Sequence, residues 1–375
     1  MITSAQARYV DTPELVDEFL FVLEQHPAIA VDTEFVRERT YYPELCLIQV
    51  ATGDSIWCID PITIVDTTSL FVAFNAPQRL KIFHSARQDL EVFFNETGRI
   101  PEPLFDTQIA AALLGRPDQI AYAGLVAEFY SRELDKTSSR TNWAQRPLTT
   151  RQLDYAADDV RYLEGVKLRL QSELEERGRG SWLVEECARL GELERYANDP
   201  TTVWQRVKGI AKLGPQELNI AAALAAWRER VAQARNLPRG WVLKDDRLLA
   251  LARSGPDSTS ALSAIEGLAP GLIRRHGAEM LEVIETADPG FVSAHEANPP
   301  KLTDAGKSLL KELLNTLQQV AKDCEVSSTL IASRRDIESA ICGSMEVRLY
   351  QGWREELFGE TVRKRIVSSN KRLFG

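Results

Sequence analysis

Cysteine is scarce in this 375-residue chain, and its placement excludes two kinds of chemistry. Cys46, Cys58, Cys187, Cys324 and Cys342 are odd in number and scattered, with no CxxC pair. Neither a zinc site nor a disulfide framework is expected from them, and they read as small apolar core residues. No apolar run approaches the roughly 18–20 residues needed to cross a bilayer. The N-terminus, MITSAQARYVDTPELVDEF, lacks the basic-then-apolar layout of a signal peptide. A cytoplasmic protein is the expectation. Excess basic charge is missing too: the formal net charge is −9, which argues against bulk electrostatic coating of nucleic acid. It does not exclude a site that concentrates carboxylates around cations, because bound cations reverse the local sign. Charge is uneven, with 13 Lys+Arg against 10 Asp+Glu after residue 300. That segment is therefore +3 and the remainder −12.

What is present is a soluble globular composition, 44% hydrophobic and 26% charged, on a chain long enough for two or three domains. To about residue 175, short apolar runs alternate with helical periods. AIAVDTEF (28–35), LCLIQVA (45–51) and SIWCID (55–60) read as strands. RLKIFHSA (79–86) reads as a buried strand running into a helix. Strands followed by helical patterns imply an α/β sandwich, a mixed sheet flanked by helices. From about residue 176 the strand signals stop and helices follow. Pro215 opens one with Leu218, Leu224, Trp227 and Val231 near helical spacing, and Pro238 beyond its end. Another starts near Asp304, with Leu310, Leu313, Leu314, Leu317 and Val320 on its apolar side. The two stretches resemble degenerate copies of one unit at an offset of 89: LPRGWVLKDDRLLAL (237–251) lies over VSSTLIASRRDIESA (326–340), and GLIRRHG (271–277) over ETVRKRI (360–366). NPPKLTD (298–304) is the natural linker between them.

Three features carry chemistry. In Val31-Asp32-Thr33-Glu34-Phe35, strand alternation puts Asp32 and Glu34 on one face at the end of an apolar strand. Two neighbouring carboxylates repel, and a hard divalent cation with oxygen ligands removes that cost. In Ile82-Phe83-His84-Ser85-Ala86-Arg87-Gln88-Asp89, Ser85 and Gln88 have capping-box spacing, which predicts a helix start with Asp89 in its first turn. The helix dipole there favours an ionised carboxylate. Thr149 and Gln152 repeat that spacing before a core stripe of Leu153, Ala156, Val160, Leu163, Val166 and Leu170. Tyr155 and Asp159, four apart, share a face at the rim of the stripe. Asp158 falls on another face, so Asp159 is the expected ligand.

The ordered set Asp-x-Glu, Asp, Tyr-x₃-Asp resembles the DEDDy branch of the DnaQ-like, RNase H-fold 3′→5′ exonucleases. The flanks DTEFVRERTYYPELCLIQVA, HSARQDLEVF and TNWAQRPLTTRQLDYAADDV are similar to the ribonuclease D family rather than to DNA-proofreading members. One departure is Asn142, where relatives commonly carry Asp before the tryptophan, a position outside the metal set. Residues of about 213–293, with the Trp227 helix and NLPRGWVLKDDRLLALA, resemble an HRDC domain, and about 300–375 a diverged second copy. HRDC modules also occur in RecQ helicases, but the chain has no GxxxxGK[ST] phosphate loop. The expected layout is a nuclease domain over 1–175, a helical linker over 176–212, and two all-α HRDC-like bundles over 213–293 and 300–375.

The resemblance implies two divalent ions, Mg²⁺ or Mn²⁺, about 3.5–4 Å apart around the 3′-terminal phosphodiester. It implies that Asp32 bridges them, that Glu34 and Asp159 complete one position and Asp89 the other, and that Tyr155 orients the attacking water. The implied products are nucleoside 5′-monophosphates from RNA, with transfer RNA precursors and other small structured RNAs carrying 3′ extensions as substrates. A monomer with no obligate protein partner and no membrane association is expected. Candidate substrate contacts are Phe35 stacking on a terminal base, Gln49 and His84 hydrogen-bonding, and Arg146 pairing with a phosphate. Core packing for Phe35, internal hydrogen bonds for Gln49 and His84, and solvation for Arg146 are the plain alternatives. Arg274, Arg275, Arg363, Lys364 and Arg365, extended by Lys371 and Arg372, are candidates for the RNA backbone or a solvated face. Two other readings are weighed: a DNA-directed exonuclease of the same branch, which would share every catalytic residue, and an inactive RNA-binding adaptor on a nuclease fold, which loss of a ligand would signal, whereas all four carboxylates and the tyrosine are present.

Overall fold

The apolar runs become the middle of a six-stranded sheet. The computed structural model describes residues 6–135, 141–291, 301–369 and 372–374. The strands are β1 (Arg8–Val10), β2 (Ala28–Val36), β3 (Glu44–Thr52), β4 (Ser55–Ile59), β5 (Leu80–Phe83) and β6 (Leu104–Asp106), ordered β1-β4-β3-β2-β5-β6. β4 pairs antiparallel with β3, while β1/β4, β2/β5 and β5/β6 are parallel. The sheet is mixed, as expected, with β2 inside it.

Eight helices surround these strands: α1 (Pro13–Glu24), α2 (Thr68–Phe74), α3 (Arg87–Thr97), α4 (Thr107–Leu113), α5 (Tyr122–Tyr130), α6 (Thr150–Arg161), α7 (Leu163–Glu176) and α8 (Gly180–Leu190). Strand alternation sends Trp57 and Phe83 to one face, and Ile56 and Ile82 to the other. On the first face Phe19, Trp57, Phe74, Phe93 and Phe83 form a chain of edge-on and tilted rings with α1, α2 and α3. On the second, Ile56 and Ile82 join Ala157, Val160, Val166 and Leu170 of α6 and α7 in an aliphatic core. The stripe expected as one helix is broken at Tyr162. There the backbone N–H donates to the Tyr122 hydroxyl at 3.0 Å instead of continuing the helical ladder.

Two compact units emerge. The first comprises Met1–Val36, Leu45–Glu192 and Pro299–Gly375, the second Arg37–Glu44 and Leu193–Asn298. Within the first unit, helices Asp304–Asp323 and Arg334–Ile341 place Leu310, Leu313, Leu317, Ile337 and Ile341 in the same hydrophobic core as α6 and α7. A buried polar seam joins α8 to this bundle. Glu186, 5% exposed, takes the guanidinium groups of Arg348 and of the fully buried Arg354, and accepts from Trp353 Nε1 at 3.3 Å. The Trp182 ring stacks on Trp353 at 4.5 Å. A buried carboxylate is tolerated only with such partners.

Among the described residues, 193–291 of the second unit contain helices and no strand. Pro215 starts helix Pro215–Arg235 at its first turn, and Leu224, Trp227, Leu248, Leu251, Leu262 and Met280 form its core. Helix starts in the two helical stretches keep the offset read from sequence. Pro215 and Asp304, Arg239 and Ser328, and Asp245 and Arg334 are each 89 residues apart. The linker stretch 298–304 lies partly outside the described residues. No described helix is long and apolar enough to cross a membrane.

Candidate active site

Asp32 and Glu34 leave the same side of β2 near its end, and α6 brings Asp159 to them. Each of the three offers a carboxylate oxygen, and these atoms all lie within 4.8 Å of one another. The capping box that starts α6 is formed: Thr149 accepts from Gln152 N–H while the Gln152 side chain accepts from Thr149 N–H. Ala156, Ala157 and Val160 bury one side of α6, which fixes Tyr155 and Asp159 at the rim of the core. Asp158 turns away and pairs with Arg161 at 2.6 Å.

Asp89 completes the carboxylate set from the first turn of α3. It is 6% exposed, and Thr33 holds one of its oxygens through N–H at 3.1 Å and hydroxyl at 2.6 Å. The helix start is built differently from the expected Ser85/Gln88 capping box. Ala86 is the N-cap and no side chain caps it from within. Asp106, 2% exposed, accepts from the backbone N–H of Ser85 and Ala86 at 3.2 and 2.8 Å, and also caps α4 through Gln108 and Ile109. Ser85 sits at φ +62, a left-handed conformation that costs a non-glycine residue of order 1 kcal/mol. The Asp106 clip offsets that cost.

Together these groups line an open cleft of about 360 Å³ whose walls include Asp32, Glu34, Phe35, Asp89, Tyr155 and Asp159. Its electrostatics are those of a cation site. Burial, reinforced by repulsion from Asp89, Asp159 and Glu34, drives the Asp32 carboxyl well above the usual carboxylate range. Burial and the neighbouring acids push Glu34 to about 9. Burial raises Asp89 to about 7 against the opposing pull of Thr33, and raises Asp159 to about 7 with help from Asp158. Such a set resists full ionisation at neutral pH without a cation and accepts hard divalent ions as its natural counter-charge. Tyr155 stands within hydrogen-bonding reach of Asp159, and burial raises its phenol, which stays protonated. Trp143, 3% exposed, packs behind it at 6.0 Å between rings.

The candidate substrate contacts divide. Phe35 and His84 line the cleft. His84 is held on both ring nitrogens, by Thr107 Oγ1 and Ile120 O at 2.9 Å each, and burial lowers its pKa. Gln49 and Arg146 are not brought to the cleft. Gln49 is fully buried in β3, and its amide atoms have no partner among the described residues. Arg146 is committed to Asp60 at 2.5 and 2.7 Å and to Cys46 O at 2.6 Å, with Tyr9 on the same carboxylate. Asn142 caps its own turn through Ala144 N–H at 3.1 Å. Among the backbone candidates, Arg274 and Arg275 are exposed on helix Pro270–Glu285, with no ion pair among the described residues. Arg363, Lys364 and Arg365 are paired with Glu355, Glu360 and Glu312. Arg372 reaches Phe374 O at 3.1 Å, and Lys371 lies outside the described residues. Thr33, Gln88 and Tyr122 also line the cleft, although the sequence marks Gln88 only as a capping residue and the other two not at all. Only the position of Thr33 between two carboxylates could have signalled it.

Residues 7–175 match the family model of 3′-5′ exonucleases, and residues 217–284 that of HRDC domains. This fold and carboxylate cleft define a DnaQ-like 3′→5′ exonuclease that uses divalent metal and carries an HRDC region. The chain is 41% identical to ribonuclease D of Zymomonas mobilis over 345 residues, 88% of this chain and 87% of that one. It is 39% identical to ribonuclease D of Sphingobium indicum over 91% and 90% of the two chains. The crystal structure of Escherichia coli RNase D, described as an exoribonuclease involved in structured RNA processing, superposes with a TM-score of 0.85 at 32% identity, covering 98% and 100% of the chains. The chain belongs to the ribonuclease D family and is a 3′→5′ exoribonuclease.

Proposed function

We propose that Asp32, Glu34, Asp89 and Asp159 hold two divalent ions, Mg²⁺ or Mn²⁺, and that Tyr155 orients the water that attacks the last phosphodiester of RNA. The convergence of four carboxylates and one phenol on a single cleft carries this reading. When bound, such ions neutralise the phosphate, lower the pKa of water and stabilise the leaving oxygen. The protein's own contribution is placement. β2 presents Asp32 and Glu34, Thr33 fixes Asp89, and α6 presents Asp159. Tyr155, within hydrogen-bonding reach of Asp159, acts as a hydrogen-bond partner of the water. Water adds to phosphorus and the P–O3′ bond breaks. The terminal nucleoside 5′-monophosphate then departs, leaving a new 3′-hydroxyl. Phe35, on the cleft wall, stacks on the terminal base, which tolerates any sequence. His84, held at both nitrogens, shapes the wall.

The biological substrates are transfer RNA precursors and other small structured RNAs with 3′ extensions, trimmed in the cytoplasm by a monomer. Residues 1–175 form the nuclease domain and 176–212 a helical linker. Residues 213–293 and 300–375 descend from one HRDC-like unit, as the 89-residue offset of their helix starts supports. Arg274 and Arg275 contact the RNA backbone. The test is a comparison of matched single-stranded RNA and DNA oligonucleotides with Mg²⁺, Mn²⁺ or EDTA. Stepwise shortening of RNA from its 3′ end, release of 5′-monophosphates and arrest by EDTA are expected. Faster loss of DNA, or binding of RNA without shortening, would overturn the reading.

A further inference from the structure

The loop joining β2 to β3 does not belong to the sheet unit. Residues Arg37–Glu44 are part of the second, helical unit, and Tyr41 is 3% exposed among its core residues, beside Trp227 and Leu248. The contacts are dense and specific. Asn236 ends helix Pro215–Arg235 at φ +49, and its Oδ1 accepts from both Tyr41 N–H and Tyr42 N–H at 3.0 Å. Glycine would adopt that backbone more cheaply but lacks the carbonyl. Glu229, fully buried, is held by Arg239 at 2.5 and 2.6 Å and takes the Tyr41 hydroxyl. Gln233 and Arg239 donate to that hydroxyl at 3.2 and 3.0 Å, and the Arg239 guanidinium lies 4.9 Å from the Tyr41 ring centroid. Arg37 closes the loop on itself through Tyr41 O at 2.9 and 3.0 Å.

A surface hairpin loop needs no buried carboxylate, and surrounding one with a tyrosine, an arginine and a glutamine builds a fixed socket. The strand that enters the socket has just delivered Glu34 and Phe35 to the cleft. We propose that Tyr41 and Asn236 are positioning residues through which the helical unit holds the end of the catalytic strand, so that this unit serves the chemistry as well as RNA binding. The proposal rests on the reading of Glu34 and Phe35 as metal and substrate groups. It differs from a purely RNA-gripping role in one consequence. A diribonucleotide, which occupies little beyond the cleft, feels the state of the clasp as a long RNA does.

The experiment uses the full chain with Asn236→Ala and, as the milder variant that keeps the ring, Tyr41→Phe. For Asn236→Ala at saturating Mn²⁺ the KM for a diribonucleotide rises about tenfold while kcat stays within about twofold, and Mn²⁺ affinity read by calorimetry falls about threefold, because the released strand end carries Phe35 and Glu34, the groups read as holding substrate and metal. Tyr41→Phe moves both in the same direction by less. Melting curves establish that each variant is folded at the assay temperature. Folded variants with unchanged diribonucleotide KM and unchanged Mn²⁺ affinity would overturn the clasp. Failure of the underlying site reading would show in the wild type instead, as absence of Mn²⁺ binding.

Discussion

Replacing Glu34 by Gln should stabilise the metal-free protein while destroying the site. In the folded, metal-free cleft the Glu34 carboxyl titrates at about 9, against an ordinary value of 4.5. The native state therefore keeps a proton that the unfolded chain has released. At ~1.4 kcal/mol per pH unit, that mismatch weakens the fold by about 3 kcal/mol at pH 7. The sign follows from a raised acid pKa: the cost is absent below 4.5 and grows with pH until about 9. Glutamine keeps the shape and removes the charge, at a cost of ~1–2 kcal/mol for the buried amide, leaving a net gain of about 1–2 kcal/mol. In EDTA at pH 7–8, Glu34→Gln should melt a few degrees above wild type, and the gap should widen from pH 5 to pH 9. Saturating Mn²⁺ should reverse the order, because only the intact carboxylate set gains the full binding stabilisation. A variant that melts at or below wild type in EDTA at pH 8, or that gains as much from Mn²⁺, would refute the reasoning.

Two further outcomes follow, one from a contact at the cleft and one from the pairing of basic side chains on the helical stretches. Thr33→Val removes the 2.6 Å hydroxyl donor to Asp89 and leaves a buried oxygen one partner short, a deficit of ~1–3 kcal/mol. Calorimetry should show the weaker Mn²⁺ site losing about tenfold in affinity, with Thr33→Ser restoring it, and wild-type binding in Thr33→Val would refute that role. Replacing Arg274 and Arg275 by Ala should reduce the slope of log affinity against log salt by about one per arginine. Replacing the ion-paired Arg363, Lys364 and Arg365 should change it less, and equal slopes would contradict the distinction.

The sequence exposed those parts of the site that rest on local periodicity. β2, β3 and β4 are long enough for alternation to show, and α6 starts at the capping box that Thr149 and Gln152 announce. β1 and β6, three residues each, carry no pattern, and the sheet completes them. The Ser85/Gln88 spacing pointed to the right helix with Asp89 in its first turn, but for a partly mistaken reason. Asp106, distant in sequence, does the capping, and no local pattern reveals that. Long-range pairing likewise decided Arg146, which the buried Asp60 removes from the cleft, and Tyr41, whose socket comes from residues 229–239. The break at Tyr162 was hidden because the apolar stripe continues through it. Thr33 carries little sequence signal because its side chain leaves the strand opposite to Asp32 and Glu34, where Asp89 of α3 is its partner.

The most direct test of the account sets two adjacent aspartates against each other. Asp159 lines the cleft within the carboxylate group, whereas Asp158 pairs with Arg161 outside it. Single-turnover release of 5′-monophosphate from 3′-labelled RNA, at saturating Mn²⁺, is the measurement for Asp159→Asn and Asp158→Asn. Loss of about a thousandfold or more for Asp159→Asn, with Asp158→Asn within about threefold of wild type, is the predicted result. Equal losses in the two variants, or an active Asp159→Asn enzyme, would contradict the site as built.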